Sequence, residues 1–303
     1  RRCRRPHCPP ESRSPGERPL ASPAVRQHAR NLGIELSQVQ GSGPAGRIRR
    51  EDLDAFMHQG SKASTVDHAP RTEVDSVKVI GIRRQIAETM QRTMQRIPHF
   101  SFVEEVDVTE LDALRQHLNA HRTDGQSKLT VLPFLMQALV RTAPAFPQIN
   151  ANYDDDAGVL HRIAALHIGV ATQTDNGLVV PVVRHAETLD IWGMAAALSR
   201  LANAARAGKA TRAELSGSSI TISSLGPLGG IVSTPVINAP EVAIVGVNKM
   251  QERPVIRGGM MVPRLVMNLS SSFDHRIVDG WDAAAFIQRI KSLLEHPATL
   301  FLP

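Results

Sequence analysis

The stretch "SSSFDHRIVDGWDAA" (270–284) joins a strand-like run to a helix-like run and decides the fold of the second half of the chain. Before it, "RLVMNLSSSF" has an apolar start and a small polar end, which is typical of a strand that enters a core. After Gly280, apolar residues recur at the spacing of one helical face: Phe286, Ile287, Ile290, Leu293 and Leu294. The junction holds His275 and Asp279, and strand ends are places where folds present reactive groups.

Two interpretations of His275 and Asp279 follow from the residues alone. A histidine is the side chain best suited to remove a proton near neutral pH. An aspartate four residues later can pair with an arginine and lock the turn, while Gly280 lets the backbone reverse tightly. In the alternative, His275 is a surface residue at a strand end and Asp279 is a helix cap. Spacing alone favours this alternative, because a His-x-x-x-Asp pair is common.

A second candidate is "ITISSLGPLGG" (220–230), where a strand ends in Ser223 and Ser224 before a glycine-rich loop. Such a loop can hold a hydroxyl or a backbone N–H where negative charge develops during a reaction. The alternative is a plain turn in which the hydroxyls satisfy nearby backbone groups. No Gly-x-Ser-x-Gly sequence surrounds the serines, so the pattern does not support a serine nucleophile.

Composition divides the chain into four regions. Residues 1–20 are rich in arginine and proline and are expected to form a disordered tail. Residues 21–57 predict two short helices around the glycine loop "GSGPAG", which is a very small helical domain. Residues 58–75 have the polar composition of a flexible linker. Residues 76–303 alternate helix-like and strand-like segments, as expected of one α/β domain with a mixed sheet.

Composition also argues against several classes of function. Both cysteines, Cys3 and Cys8, lie in the tail, so the folded part has no thiol nucleophile and no cysteine metal site. Six Arg and two Glu in 1–20 supply most of the net charge of +6, and the rest of the chain carries 29 basic and 27 acidic residues. A nucleic-acid-binding function is therefore not expected. No apolar run approaches the roughly 18 residues that a membrane span needs.

Several blocks of residues together resemble the dihydrolipoyl acyltransferases of the 2-oxo acid dehydrogenase complexes. "SFDHRIVDGWDAA" is similar to their His-Arg-x-x-Asp-Gly signature, and "ASPAVRQHARNLGIELSQVQGSGPAGRIRREDLDAF" is similar to their peripheral-subunit-binding domain. "TISSLGPLGG", "NAPEVAIVGV" and "DNGLVVPVV" are similar to further blocks of their catalytic domain. The resemblance covers residues 21–303 and raises the functional interpretation of His275 above its alternative.

The resemblance implies a fold like that of chloramphenicol acetyltransferase: a mixed sheet flanked by helices, assembled as homotrimers with active sites between subunits. Such trimers build a larger cubic core of about 24 subunits in most bacterial members. His275 is then the general base that deprotonates the thiol of CoA, and the thiolate attacks acyl-dihydrolipoamide. The matching oxyanion donor is Ser223 of a neighbouring subunit, with Ser224 second. Asp279 is expected to orient the site through an arginine.

For residues 21–57 the resemblance implies a peripheral-subunit-binding domain in which Arg26 and Arg47 grip acidic surfaces of partner proteins. These partners are the dihydrolipoyl dehydrogenase and the 2-oxo acid decarboxylase subunits. No lipoyl domain with its modified lysine is recognised before residue 21, so the lipoyl group is expected to be supplied in trans.

The identity of the transferred acyl group is the most detailed prediction that the resemblance allows. "LGGIVSTPVINAPEVAIVGVNKM" (228–250) is most similar to bacterial branched-chain members, which predicts a branched-chain acyl group and a cytoplasmic protein, or a mitochondrial matrix protein in a eukaryote. An acetyltransferase of the pyruvate complex is the nearest alternative, and a succinyltransferase is a further one. A non-catalytic scaffold subunit that binds dihydrolipoyl dehydrogenase is the alternative of another class. Such a relative is expected to lack the active histidine, whereas His275 is present.

Overall fold

The computed structural model describes residues 19–59, 72–175 and 177–302. The chain divides into two compact units, of which the second begins at Val77. Most of the predicted tail, including Cys3 and Cys8, and most of the predicted linker lie outside the described residues.

The small unit is a pair of helices around a glycine loop. α1 (Pro23–Asn31) begins after Ser22, whose hydroxyl accepts a hydrogen bond from a backbone N–H of the first turn, and α2 spans Arg50–Gln59. The loop needs a glycine at position 41, because a Cβ on Gly41 would lie 2.4 Å from a backbone carbonyl oxygen. The buried apolar side chains of this unit are Ala29, Val39, Ile48 and Leu53. The predicted small helical domain is confirmed.

Apolar stripes at helical spacing form the helices of the large unit. They are α3 (Gly81–Arg96), α4 (Thr109–Ala120), α5 (Val131–Thr142), α6 (Ile191–Arg206) and α7 (Gly280–Glu295). The stripe of α3 lies largely open in the single chain, because Ile82 is 49% and Met94 is 57% exposed. The stripe of α7 is buried as predicted, since Phe286, Ile287 and Ile290 are at most 1% exposed.

The strands of the large unit are mostly short. They are β1 (His99–Asp107), β2 (Ala151–Asp154), β3 (Val159–Arg162), β4 (Ile168–Val170), β5 (Thr172–Thr174), β6 (Gly177–Val179), β7 (Val182–Val183), β8 (Ile220–Ser224), β9 (Ala243–Val247), β10 (Gln251–Arg257) and β11 (Met260–Asp274). Within the described ranges, seven strands form one sheet in the order β1-β11-β9-β8-β4-β7, with β10 also paired to β11. The pairs β2-β3 and β5-β6 are separate hairpins.

The sheet is mixed, as predicted. β8 runs parallel to β4 and to β9, whereas β1, β9 and β10 pair with β11 in antiparallel fashion. Every residue of β9 is buried, which is typical of a strand covered on both faces. Phe273 of β11 packs edge-on against Phe286 of α7, with ring centroids 6.2 Å apart. The predicted α/β class with helices flanking a mixed sheet is confirmed.

The stretch 165–183 differs in detail from the sequence prediction. The alternating pattern predicts two strands joined by an Asn-Gly turn, but each arm is divided into two short strands, β4 and β5, then β6 and β7. β4 and β7 belong to the main sheet, whereas β5 and β6 pair only with each other, so each arm is interrupted where it leaves the sheet. Asn176 of the predicted turn lies outside the described residues.

Candidate active site

His275 lies in the turn between β11 and α7, at the end of an inner strand of the main sheet. Its backbone N–H donates a hydrogen bond to the Pro98 carbonyl oxygen at 3.1 Å. Its ring stands edge-on to Phe100, with centroids 5.1 Å apart at an interplanar angle of 75°. The side chain is exposed, and its ring makes no hydrogen bond to another described residue. The imidazole is therefore free to meet a substrate proton.

Asp274 and Arg276, on either side of His275, form the ion pair that locks this turn. Asp274 is 1% exposed and accepts hydrogen bonds from Arg276 Nε at 3.0 Å and Arg276 Nη2 at 2.7 Å. The fork geometry suits a carboxylate, so the pair fixes orientation as well as charge. The hydrogen bond to Asp274, and then the charges of Asp274 and Asp155, raise the pKa of the Arg276 guanidinium above its ordinary value. Arg276 also lies over the Tyr153 ring, 4.9 Å from its centroid.

Among the residues that the structure describes, no arginine pairs with Asp279. Asp279 occupies the position before the first residue of α7, but its side chain makes no capping bond and no other hydrogen bond to a described residue. Arg276 is already held by Asp274 from the same turn and by Asp155 from the β2-β3 hairpin. In the single chain the carboxylate that holds Arg276 is therefore Asp274, one residue before the histidine, and the orienting role of Asp279 stays a prediction.

Ser223 and Ser224 end β8 and are half-buried. The Ser224 hydroxyl accepts a hydrogen bond from the Gly226 N–H at 3.3 Å, as expected of a turn serine. The Ser223 hydroxyl has no such partner among the described residues. Of the two serines, Ser223 is the one whose hydroxyl is not engaged in the local turn.

Ser223 and His275 lie at opposite ends of the sheet within one chain. Ser223 pairs with Gly246 of β9, and Gly246 pairs with Ser270 of β11. From Ser270, β11 continues toward His275 for several more residues. Two strand spacings across the sheet and five residues along it amount to about 20 Å. One chain does not bring the two side chains together, so a site that uses both needs a second copy of the chain.

A buried carboxylate lies near the His275 end of the sheet, immediately before β9. Glu241 is 1% exposed, and its Oε1 accepts hydrogen bonds from Ser218, from Thr221 at 2.9 Å and from Asn238 at 2.7 Å. Its Oε2 is buried and has no partner. Burial raises the pKa of Glu241 to about 7 against the opposing effect of these hydrogen bonds. No sequence pattern singled out Glu241, since "NAPEVAIVGV" carries no sign that the acid is enclosed.

Arg26 and Arg47 of the small unit lie beside the same short piece of backbone. Arg26 donates hydrogen bonds to the carbonyl oxygens of Pro19 at 2.6 Å and Ala21 at 3.3 Å. Ala21 forms a β-bridge with Ile48, the residue after Arg47. Both arginines are exposed, so they present positive charge on one part of a miniature domain.

Two kinds of feature are not found among the described residues. No helix there is both long enough and apolar enough to span a membrane. No group of three or more His, Cys, Asp and Glu side chains there is arranged to hold a metal ion.

Two family models match the chain. The model of the 2-oxoacid dehydrogenases acyltransferase catalytic domain matches residues 71–302. The model of the e3 binding domain matches residues 19–54. The site around His275 lies in the first match, and the two exposed arginines lie in the second.

Curated relatives match over nearly the whole chain. The lipoamide acyltransferase component of the branched-chain alpha-keto acid dehydrogenase complex of Pseudomonas aeruginosa is 64% identical over 299 residues, which are 97% of this chain and 70% of that protein. The dihydrolipoyllysine-residue acetyltransferase component of the pyruvate dehydrogenase complex of Bacillus subtilis is 36% identical over 305 residues, covering 95% of this chain and 69% of that protein.

Solved structures match the large unit. The dihydrolipoamide acetyltransferase of Azotobacter vinelandii, investigated for the roles of a serine, a histidine and an asparagine in its catalytic mechanism, has a TM-score of 0.73 and 36% identity. The match covers 77% of this chain and 98% of that one. The cubic core of the pyruvate dehydrogenase multienzyme complex also has a TM-score of 0.73, with 37% identity over 78% of this chain and 98% of that one.

Proposed function

Since the chain belongs to the family of 2-oxoacid dehydrogenase acyltransferases, we propose that it transfers a branched-chain acyl group from acyl-dihydrolipoamide to CoA. The choice of a branched-chain acyl group rests on the difference in sequence identity between two kinds of relative. The branched-chain component is 64% identical over nearly the full chain, whereas the acetyltransferase component is 36% identical over a similar length. Acetyl transfer is the second candidate, because the acetyltransferase component matches over 95% of this chain.

In this proposal His275 is the general base. Its exposed imidazole takes the proton from the CoA thiol, and the thiolate attacks the carbonyl carbon of the acyl-dihydrolipoamide thioester. The tetrahedral adduct then expels the dihydrolipoamide thiolate, which takes the proton back from the imidazolium. The attacking and leaving thiols have similar proton affinities, so one base serves both directions. The protein's own contribution is mainly to position the reactants and to stabilise the negatively charged oxygen.

Ser223 is the proposed donor to that oxygen. Its unengaged hydroxyl and its distance from His275 in the same chain support a site that combines His275 of one subunit with Ser223 of another. The Azotobacter vinelandii enzyme offers a second support: His275 follows Ser223 by the same number of positions as the histidine follows the serine there. Asp279 follows His275 by the same four positions as the asparagine follows the histidine.

Asp279 is proposed to act on the substrate side of the site. Its side chain is exposed, lies next to the His275 turn and has no hydrogen-bond partner in the described part of the chain. The asparagine at the matching spacing of the Azotobacter vinelandii enzyme supports a polar side chain of this size at position 279.

Oligomeric assembly is part of the proposal. A homotrimer is the smallest cyclic arrangement expected for this family, and it gives each His275 a neighbouring Ser223. The likeness to a cubic core supports further assembly of such trimers into a larger particle. The relatives are bacterial, and on that ground we propose a cytoplasmic location.

The small unit is proposed to recruit partner enzymes to this core. An e3 binding domain binds dihydrolipoyl dehydrogenase, and Arg26 and Arg47 are proposed to meet acidic side chains on it. Binding of the 2-oxo acid decarboxylase by the same surface is a further proposal. The boundaries 21–57 for the binding domain, 58–75 for a linker and 76–303 for the catalytic domain belong to this proposal as well.

The test is acyl transfer to CoA from three synthetic dihydrolipoamide thioesters: isobutyryl, acetyl and succinyl. We expect the highest kcat/KM with isobutyryl and its loss in His275→Ala. A preference for acetyl would favour the second candidate. Undiminished activity in His275→Ala would remove the histidine from its proposed role, and no transfer by the wild-type protein would contradict an acyltransferase.

A further inference from the structure

A chain of alternating charges ties the His275 turn to two other parts of the large unit. Asp274, the buried last residue of β11, forms an ion pair with Arg276. The Nη1 of Arg276 in turn pairs with Asp155, at the start of the turn between β2 and β3. Asp155 also accepts from Arg96, the last residue of α3, at 3.4 Å. We propose that Asp155 is a positioning residue for His275, acting through Arg276. This proposal rests on the function proposed for His275 above.

These contacts form a closed circuit that includes the backbone of His275. Arg96 stands two residues before Pro98, and the Pro98 carbonyl oxygen accepts the backbone N–H of His275. His275 is joined covalently to Arg276, Arg276 is bonded to Asp155, and Asp155 is bonded back to Arg96. A displacement of the hairpin is therefore transmitted to both sides of His275.

Backbone contacts hold the β2-β3 hairpin in place, so it can position Asp155 in this circuit of contacts. The Tyr153 N–H donates to the Pro240 carbonyl oxygen at 2.8 Å, and Asn152 forms a bridge with Glu241 beside β9. The Tyr153 ring lies under the guanidinium of Arg276. The hairpin thus offers Arg276 both a carboxylate and an aromatic face.

The orientation of the His275 ring depends on this backbone because its own contacts are few. Among the described residues, the one aromatic ring that contacts it is that of Phe100. Orientation of the imidazole must then come from the peptide units between Asp274 and Arg276. Holding a general base in the right direction is worth a large factor in rate, whereas it adds little to folding stability.

Loss of Asp155 is not expected to unfold the turn. The N–H groups of Ile277 and Val278 donate to the Asp274 carbonyl oxygen at 3.0 and 2.9 Å, and Arg276 keeps its pair with Asp274. Asp155 and Arg276 are 31% and 29% exposed at their side chains, so water can replace part of the lost contact. The expected consequence is a looser orientation of the histidine in an otherwise folded protein.

The experiment compares Asp155→Asn with Asp156→Asn in the full chain. Asp156 is the matched control, because it is the next residue, is 85% exposed and pairs with Arg96 but not with Arg276. For Asp155→Asn we expect kcat for acyl transfer to CoA to fall about tenfold or more. KM for CoA, the thermal midpoint and the oligomeric state should match those of Asp156→Asn. Asp155→Glu, which restores the charge, should recover part of kcat.

Two results would overturn the proposal. One is a kcat of Asp155→Asn equal to that of Asp156→Asn. The other is a loss of kcat that accompanies an equal loss of thermal stability or of assembly, because that pattern describes a merely structural ion pair. Failure of the proposed function is distinguishable from both, since the wild-type protein itself would then transfer no acyl group.

Discussion

Glu241→Gln tests whether the buried acid titrates as its surroundings indicate. Burial raises the pKa of Glu241 from its ordinary value of 4.5 to about 7, so the folded chain holds this proton more tightly than the unfolded chain does. A carboxyl group of this kind contributes stability that is full below pH 4.5 and is lost as the pH rises through 7. Stability should therefore fall between about pH 5 and pH 8 by an amount that belongs to Glu241.

The size of this effect follows from the difference between the two pKa values. One pKa unit corresponds to about 1.4 kcal/mol, so the shift amounts to roughly 3 kcal/mol once the carboxyl is ionised in both states. In Glu241→Gln the amide oxygen can still accept from Ser218, Thr221 and Asn238, while no charge is left to desolvate. The amide adds a buried N–H with no assured partner, but that penalty is the same at both pH values. The change in stability with pH is therefore the informative quantity.

The assay is urea unfolding at pH 5 and pH 8, followed by tryptophan fluorescence at one fixed protein concentration, because assembly makes stability concentration-dependent. Glu252→Gln, a substitution of an exposed carboxylate on β10, is the control for general charge effects. Relative to this control, Glu241→Gln should lose about 2.5 kcal/mol of the decrease between the two pH values, because a small part of the shift is already lost below pH 5. An equal decrease in both variants would refute the reasoning, since it would mean that Glu241 is not the group that titrates.

Two further predictions concern the binding unit and the core. Arg47→Ala should weaken binding to dihydrolipoyl dehydrogenase about tenfold or more, as measured by calorimetry, because a charged contact is lost. Acyl transfer to CoA from a free dihydrolipoamide thioester should be unchanged. Loss of that transfer would contradict the separation of partner binding from acyl transfer. Phe286→Ala should lower the free energy of unfolding by about 3–5 kcal/mol in urea, because Phe286 is 1% exposed and packs on both Phe146 and Phe273. A change below about 1 kcal/mol would mean that the site collapses around the missing ring.

Local patterns predicted the elements of this protein well because each is encoded within about 15 residues of chain. The strand before His275 and the helix after it follow from periodicity alone, and both are found. The role of Asp279 stays a prediction, because its partner does not follow from periodicity in the same way. A spacing of four suggests a helical partner, but the turn from 275 to 279 is not helical, and the arginine bends back to Asp274 instead.

Contacts between distant parts of the chain could not be predicted from the sequence. Asp155 stands in a run of three aspartates, "DDD", which is an ordinary composition for an exposed hairpin turn. The bridge between Asn152 and Glu241 brings that turn close to the end of β11, where Arg276 lies. The surroundings of Glu241 have the same origin, because its partners Thr221, in β8, and Ser218, just before β8, come from a distant part of the chain.

The separation of Ser223 from His275 makes the shared site testable by mixing chains. In a cyclic trimer that contains both Ser223→Ala and His275→Ala chains, one of the interfaces combines an intact histidine with an intact serine. Random mixing of equal amounts gives such trimers in most cases, and about one quarter of the wild-type activity should return. A site built within one chain would recover nothing, because every chain carries a substitution. Co-expression with two affinity tags, followed by acyl transfer to CoA, measures the difference. Activity that stays at the level of the separate variants would contradict a site shared between neighbouring subunits.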